Sequence, residues 1–306
     1  MLRTTDTTDS TTEPTTDAEN TGAVIDLDRH PIAGDDAARR ELVARCRTSL
    51  ADDGCVVLDG FVRADALARM ADEGRQVAGD AHFNETITNC YSSDDDPTLS
   101  ADHPRRIFME RTNGFVAADR LSSDLTVRRL YHDDALRRFV ADCTGIDVLH
   151  EYGDPFGHLV FNVVRPGCQH PWHFDNNDFV VTVLTQRAEA GGVFEYCPGI
   201  RSRDEENTDA IGAVLAGDRS PIRELDLQPG SLQIFFGRDS LHRVTRVEGD
   251  RERHVLILGY SREPDQIAGV DRTRRLFGRV SDAHRRADAN GHSLEAVGTS
   301  TGGERS

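Results

Sequence analysis

The sequence predicts an α+β fold in which helices of the amino-terminal half pack on the outside of an antiparallel jelly roll. Apolar residues recur at helical spacing up to about residue 145, whereas from residue 147 onward they alternate along short β-branched or aromatic runs. Turns rich in Gly, Pro and Asp separate these runs. Six or more short strands of this kind are typical of an antiparallel sandwich or barrel.

The amino-terminal part, residues 23–146, is predicted to be a helical support region. Helices are expected over residues 35–52, 63–79 and 125–145, a short strand over 54–62, and an irregular polar stretch with one strand over 80–121. Gly145 closes the last of these helices, because glycine adopts the left-handed conformation that ends many helices.

The catalytic core is predicted over residues 147–262 and a carboxy-terminal cap over 263–280. The core strands are expected in the runs HLVFNVV, DFVVTVLTQ, GGVFEYC, GSLQIFF, LHRVTRV and RHVLILGYS. Residues 1–22 and 281–306 are predicted to be disordered tails, since segments this polar do not bury enough apolar surface to offset the entropy of ordering.

Composition excludes several classes of partner. The chain has 53 acidic and 36 basic residues, a net charge of −17, and every basic residue is Arg. Nucleic acids and anionic lipids need a basic patch, so neither is an expected partner. No apolar run approaches the roughly 20 residues of a membrane span. A soluble, cytoplasmic protein is expected, and its acidic, lysine-free composition suggests a salt-adapted source.

The stretch HPWHFDNND, residues 170–178, contains a candidate metal site. His173 and Asp175 are two positions apart, so on a strand both side chains point to one face while Phe174 points to the other. An HxD pattern alone is weak evidence. A third ligand is available at His242, at the start of a later strand. Two imidazoles and one carboxylate form the facial triad that holds non-haem Fe(II).

A candidate anion site follows on the next predicted strand. Arg253 lies beyond a tight turn at residues 247–250, which places its strand beside that of His242. A guanidinium inside a barrel is an uncompensated charge unless an anion binds it, and a carboxylate is its natural partner. Arg251 is two residues earlier and points to the same face of the strand, so the two-residue period does not decide which arginine binds the anion. Arg253 is favoured because Arg251 lies next to the turn, where water reaches it.

These motifs resemble the iron(II)/2-oxoglutarate-dependent oxygenases of the double-stranded β-helix (cupin-like) fold, and within them the branch of halogenases and hydroxylases that act on free amino acids. The resemblance covers about residues 105–280 and depends on the HxD, the distal His and the Arg, in that order. It implies Fe(II) bound by His173, Asp175 and His242. It also implies that 2-oxoglutarate chelates the iron and is held by Arg253, with O₂ as cosubstrate.

Asp175 determines the reaction that the resemblance implies. Halogenases of this branch have Gly or Ala at that position, which leaves a coordination site for chloride. An aspartate fills this site, so hydroxylation of a C–H bond is expected. The expected substrate is a small cationic or zwitterionic metabolite, in particular a free amino acid. The alternatives are a carrier-bound or peptidyl substrate, desaturation, or a cupin-like metal-binding sensor without turnover.

The remaining candidate residues concern the substrate and cosubstrate. The resemblance implies that His170 and an upstream arginine, either Arg106 or Arg111, hold a substrate carboxylate. From the residues alone, Trp172 is a candidate pocket wall and Asn162 a candidate contact to 2-oxoglutarate or substrate. A packed core Trp and a satisfied barrel Asn are the equal alternatives. The oligomeric state stays open, with a homodimer as one candidate.

Overall fold

Two facing antiparallel sheets form the centre of the molecule, as seen in a computed structural model that describes residues 21–294. The strands are β1 Cys55–Leu58, β2 His82–Phe83, β3 Thr86–Thr88, β4 Met109–Arg111, β5 Gly114–Val116, β6 His150–Glu151, β7 Leu159–Val164, β8 His170–His173, β9 Val180–Gln186, β10 Ala190–Gly191, β11 Phe194–Cys197, β12 Arg223–Leu225, β13 Leu232–Phe235, β14 Leu241–Val244, β15 Val247–Glu248, β16 Arg253–Leu258, β17 Tyr260–Ser261, β18 Ile267–Ala268 and β19 Ser293–Leu294. The helices are α1 Ala37–Asp53, α2 Ala64–Val77, α3 Thr126–Tyr131, α4 Asp134–Thr144, α5 Thr208–Leu215, α6 Val270–Phe277 and α7 Asp282–Ala289.

The major sheet has seven strands in the order β1-β13-β9-β16-β7-β5-β2, and the minor sheet has four in the order β12-β11-β14-β8. Apolar side chains from both sheets fill the space between them, among them Leu184, Phe235 and Val255 from the major sheet and Phe194 and Val244 from the minor sheet. Facing sheets packed in this way are the core of the double-stranded β-helix fold, as the sequence predicts.

The opposite face of the major sheet is covered by the amino-terminal helices. Leu256 and Leu258 of β16 belong there to the same core cluster as Leu42 of α1 and Phe139 of α4. Because successive side chains of β16 point to opposite faces of the sheet, this strand contributes both to the core between the two sheets and to the core beneath the helices. The amino-terminal region is also more than a helical support, since β1, β2 and β5 are strands of the major sheet.

The helix predicted over residues 125–145 is two helices, α3 and α4. Asp133 separates them because its side chain accepts a hydrogen bond from the Leu136 backbone N–H at 2.9 Å, which caps the start of α4. Gly145 ends α4 in the left-handed conformation, as predicted.

The prediction of a disordered tail over residues 281–306 is wrong for residues 281–294. Helix α7 and strand β19 occupy this segment, and β19 pairs with β18. His284 of α7 is fully buried, with Nε2 at 3.1 Å from Oδ2 of Asp154. This buried polar contact, together with Ala287, anchors a segment whose composition alone looks too polar to fold. Residues 295–306 lie outside the described residues.

At the other end, residues 1–20 of the predicted tail over 1–22 lie outside the described residues. Thr21 is buried, and its hydroxyl donates to Asp133 at 2.6 Å. The prediction of a disordered tail is therefore wrong for Thr21 and Gly22, which belong to the folded chain. Among residues 21–294, no helix has the length and apolar character that crossing a membrane requires.

Candidate metal centre

Three side chains from the minor sheet converge on one point between the sheets. His173 ends β8 and stands directly opposite His242 of β14, with ring centroids 4.0 Å apart. Asp175 follows β8 by two residues. Its carboxylate oxygens lie 3.8 Å from Nε2 of His173 and 3.5 Å from Nε2 of His242. One ligand atom from each residue lies within 4.8 Å of the others.

Both histidine rings are oriented by the backbone. Nδ1 of His173 lies 2.8 Å from the carbonyl of Pro171, and Nδ1 of His242 lies 2.9 Å from that of Ser240. A carbonyl accepts a hydrogen bond, so Nδ1 carries the proton and Nε2 presents a lone pair to the centre. Burial and the neighbouring His242 hold the pKa of His173 well below 6.5, which keeps that imidazole neutral.

The carboxylate of Asp175 lacks a protein partner. Its Oδ2 is buried and accepts no hydrogen bond from residues 21–294. Its backbone N–H donates to the carbonyl of Gly237 at 2.9 Å. A side chain at Gly237 would overlap the carboxylate, since an added Cβ would lie 2.7 Å from Asp175 Cγ. A buried carboxylate oxygen costs free energy unless something binds it, so this donor set fits a metal ion.

The predicted position of the Arg253 strand beside the His242 strand is wrong, because the chain crosses between the sheets after β14. Arg253 begins β16, which pairs with β7 and β9 in the major sheet, and its side chain lies inside the barrel, where it is 4% exposed. No carboxylate among residues 21–294 is within ion-pair distance of it, and burial lowers its pKa to about 10. An added Cβ at Gly192 would lie 3.1 Å from Arg253 Cδ, so this wall needs a glycine. Arg251 is exposed and donates to the carbonyl of Arg187. The structure therefore distinguishes the two arginines that periodicity left open.

His170 lies against the metal centre because of a β-bulge. Between β8 and β14 the partners are His173 with His242 and His170 with Val244, so three steps on β8 oppose two on β14. In a regular strand, positions three apart face opposite ways, and the bulge turns His170 to the same side as His173. The two rings stack with centroids 3.7 Å apart.

Arg111, at the end of β4, is the upstream arginine that reaches this region. Its guanidinium lies 5.4 Å from the ring of Phe115, which in turn contacts His170 edge-on. Burial, followed by the charges of Arg275 and Arg272, lowers its pKa to about 10. Arg106 is instead held on the surface by Asp95, with Nε 3.0 Å from the carboxylate.

Asn162 is part of a buried polar chain that leads to Arg111. Nδ2 of Asn113 donates to Oδ1 of Asn162 at 3.0 Å, and Nε of Arg111 donates to Oδ1 of Asn113 at 3.1 Å. Asn113 is 1% exposed and was not singled out in the sequence. Its signal is weak, since Asn before Gly in TNGF reads as an ordinary turn.

Trp172 does not line the pocket. It lies on the outer face of the minor sheet with Phe174, Leu241 and Ile211, and the guanidinium of Arg243 stands 4.6 Å from its ring. Alternation explains this position, because Trp172 precedes the inward-facing His173. Trp172 is therefore a packed core residue, which is the second of the two possibilities that the sequence left open.

Comparisons with known proteins give one family match and several distant structural ones. A family model described as Halogenase D matches residues 38–275. No curated protein matches the chain in sequence. The non-haem alpha-ketoglutarate-dependent epimerase SnoN from nogalamycin biosynthesis is 16% identical, covering 72% of this chain and 83% of its own, with a TM-score of 0.50. The carbocyclase SnoK from the same biosynthesis is 12% identical, covering 74% and 87%, with a TM-score of 0.50. These two structures share the fold of this chain.

Proposed function

We propose that this chain, which belongs to the halogenase D family, is an Fe(II)- and 2-oxoglutarate-dependent dioxygenase. Its reaction is the hydroxylation of a C–H bond of a small metabolite. The observation that carries the proposal is the pairing of two features. One is the cluster of His173, Asp175 and His242, whose atoms lie within 4.8 Å. The other is Arg253, a buried guanidinium with no acidic partner among residues 21–294, in the facing sheet. A metal-binding sensor without turnover would not need such a cation beside the metal.

Each residue of the centre has a distinct task in this reaction. His173, Asp175 and His242 would hold Fe(II) on one face, which leaves the other positions open. Fe(II), together with 2-oxoglutarate and O₂, supplies the oxidation that breaks a C–H bond. Arg253 binds the distal carboxylate of 2-oxoglutarate and fixes its orientation. The rings of Phe194 and Phe235, whose centroids lie 5.6 Å and 4.8 Å from that of His242, exclude water from this side of the centre.

Asp175 favours hydroxylation over the halogenation that the family's name suggests. Its backbone is tied to Gly237, and its carboxylate faces both histidines. A halide that bound the metal at this position would have to displace the carboxylate. The chain thus keeps a third protein ligand where a halogenase has an open place.

The polar group beside the metal is proposed to hold the substrate. Arg111 and His170 bind a substrate carboxylate, and Asn113 orients the guanidinium through its contact with Nε. Asn162 supports Asn113 from the neighbouring strand. A carboxylate held there would place the rest of a small metabolite, such as a free amino acid, beside the metal.

The experiment that tests this activity is a screen of the twenty amino acids with the full chain, Fe(II), 2-oxoglutarate, O₂ and chloride. We expect substrate-dependent succinate and a product heavier than its substrate by one oxygen atom. A chlorinated product would refute the assignment to hydroxylation, and loss of two hydrogens would indicate desaturation instead. Succinate formation that no amino acid stimulates would favour a carrier-bound or peptidyl substrate.

A further inference from the structure

The region beside the metal centre is strongly cationic, although the whole chain has a net charge of −17. Arg253 is buried and Arg111 is half-buried, and neither has a carboxylate within ion-pair distance among residues 21–294. Arg272 and Arg275 of α6 are close enough to Arg111 to lower its pKa.

Three carboxylates that are candidates for binding a substrate ammonium group, Glu151, Asp154 and Asp178, are engaged by other groups of the chain. Glu151 lies 2.9 Å from Nδ1 of His132. Asp154 is 1% exposed, and its two oxygens contact three backbone N–H groups and His284. Asp178, which follows the HxD, pairs with Arg238 at 3.0 Å and Arg262 at 3.1 Å.

The charge of the loaded centre can be counted from these groups. Fe(II) would contribute two positive charges, and Arg253 and Arg111 contribute one each. Asp175 and the two carboxylates of 2-oxoglutarate would contribute three negative charges, which leaves one positive charge without a partner. A zwitterionic substrate would leave that charge in place and would bring an ammonium group with no acceptor. In a buried site an uncompensated charge is costly.

We propose that the substrate is a net anion, with more carboxylates than ammonium groups, such as an acidic or N-acylated amino acid. The proposal rests on the proposed function and replaces the cationic or zwitterionic substrate that the sequence suggested. Arg111 receives the anionic group: its Nε is held by Asn113, while its two terminal nitrogens donate to no group among residues 21–294. They form the fork that matches a carboxylate.

Pairs of related compounds that differ in net charge test this proposal. The full chain is loaded anaerobically with Fe(II) and saturating 2-oxoglutarate, and the visible charge-transfer band is titrated with each compound. The pairs are L-glutamate with L-glutamine, L-aspartate with L-asparagine, and N-acetyl-L-leucine with L-leucine, and L-lysine is the cation. We expect the anion of at least one pair to perturb the band with at least about tenfold higher affinity than its neutral partner.

Variants separate recognition by Arg111 from general electrostatics. Arg111→Gln should abolish the preference for the anion and leave the band itself intact, and Arg111→Lys should retain part of the preference. Arg274→Gln is the matched control, because Arg274 is an exposed residue of the same helix as Arg272 and pairs with Asp271. It should leave the preference unchanged.

Three results would overturn the proposal: tighter binding of L-lysine or of the neutral partners, no perturbation by any anion, or an unchanged preference in Arg111→Gln. Absence of the band before any compound is added is a different failure. It would refute the proposed cofactor use, whereas a normal band perturbed by cations would refute only the substrate class.

Discussion

Asp175 is positioned by contacts that lie outside the HxD motif. Its backbone N–H donates to Gly237, and the next residue, Asn176, accepts from Arg238 through its carbonyl at 2.7 Å. The loop between β13 and β14 thus holds the segment that carries the carboxylate ligand. The absence of a side chain at Gly237 is what allows the close approach.

We predict that Gly237→Ala will lower Fe(II) affinity by about 10- to 100-fold, the range seen when supporting contacts of metal ligands are removed. The added methyl group would overlap the carboxylate of Asp175 and turn it away from the two histidines. Equilibrium Fe(II) binding under anaerobic conditions measures the effect, with the thermal midpoint recorded in parallel.

Gly79→Ala is the matched control for that variant, because an added Cβ at Gly79 has no neighbour within 4 Å. Its Fe(II) affinity should equal that of the unmodified chain. Equal affinity in Gly237→Ala would show that the approach of Gly237 does not determine the position of the carboxylate.

Single residues show what periodicity can and cannot predict. The two-residue period of a strand predicts that His173 and Asp175 share a face, and the structure has both at one centre. It does not separate Arg251 from Arg253, because residues two positions apart point to the same face. The two arginines differ in how far they lie from the solvent-exposed turn. Nor does it predict that His170 joins His173, since a β-bulge reverses the expected face.

At the scale of elements, helix α7 is joined to the core by a buried polar contact. His284 Nε2 lies 3.1 Å from Asp154, whose other contacts fix the turn before β7 and the start of β18. The sequence predicted a disordered tail here because the partner of His284 is 130 residues away in the chain. Composition reports local polarity and carries no information on a distant partner.

We predict that His284→Ala will lower the free energy of unfolding by about 2–3 kcal/mol, since it leaves a cavity and removes a contact to a buried carboxylate. Urea unfolding measures this change. His292→Ala is the control, because His292 is exposed and only its backbone N–H makes a hydrogen bond, and it should change stability by less than about 0.5 kcal/mol. Equal stability of the two variants would contradict an anchoring role for His284.

At the scale of the whole molecule, the metal centre is assembled from distant parts of the chain. Strand β8 and the segment that follows it supply His173 and Asp175, β14 supplies His242, and β16 in the facing sheet supplies Arg253. The presence of these three strands was predictable from the sequence, because each shows alternating apolar residues and contains one of the motifs. In the irregular polar stretch over 80–121 the sequence predicts a single strand. It does not predict the separate three-residue strands β4, which ends at Arg111, and β5, which begins directly after Asn113.

Charge is also organised at this scale. The chain as a whole is rich in carboxylates, whereas its centre contains one buried and one half-buried guanidinium group, Arg253 and Arg111, without acidic partners among residues 21–294. The net charge of −17 therefore does not describe the site. Site chemistry follows from the local set of charges, whereas the overall balance of charge bears on solubility and on non-specific association.

The central claim is that this chain binds Fe(II) through the triad and 2-oxoglutarate through Arg253. Anaerobic titration of the Fe(II)-loaded chain with 2-oxoglutarate tests it most directly. A weak visible metal-to-ligand charge-transfer band should appear and saturate, should be lost in Asp175→Ala, and should require much more 2-oxoglutarate in Arg253→Ala. Arg251→Ala is the control, because Arg251 is exposed and lies two residues before Arg253. This variant should behave as the unmodified chain. No band, or a band that Asp175→Ala and Arg253→Ala leave unchanged, would contradict the claim.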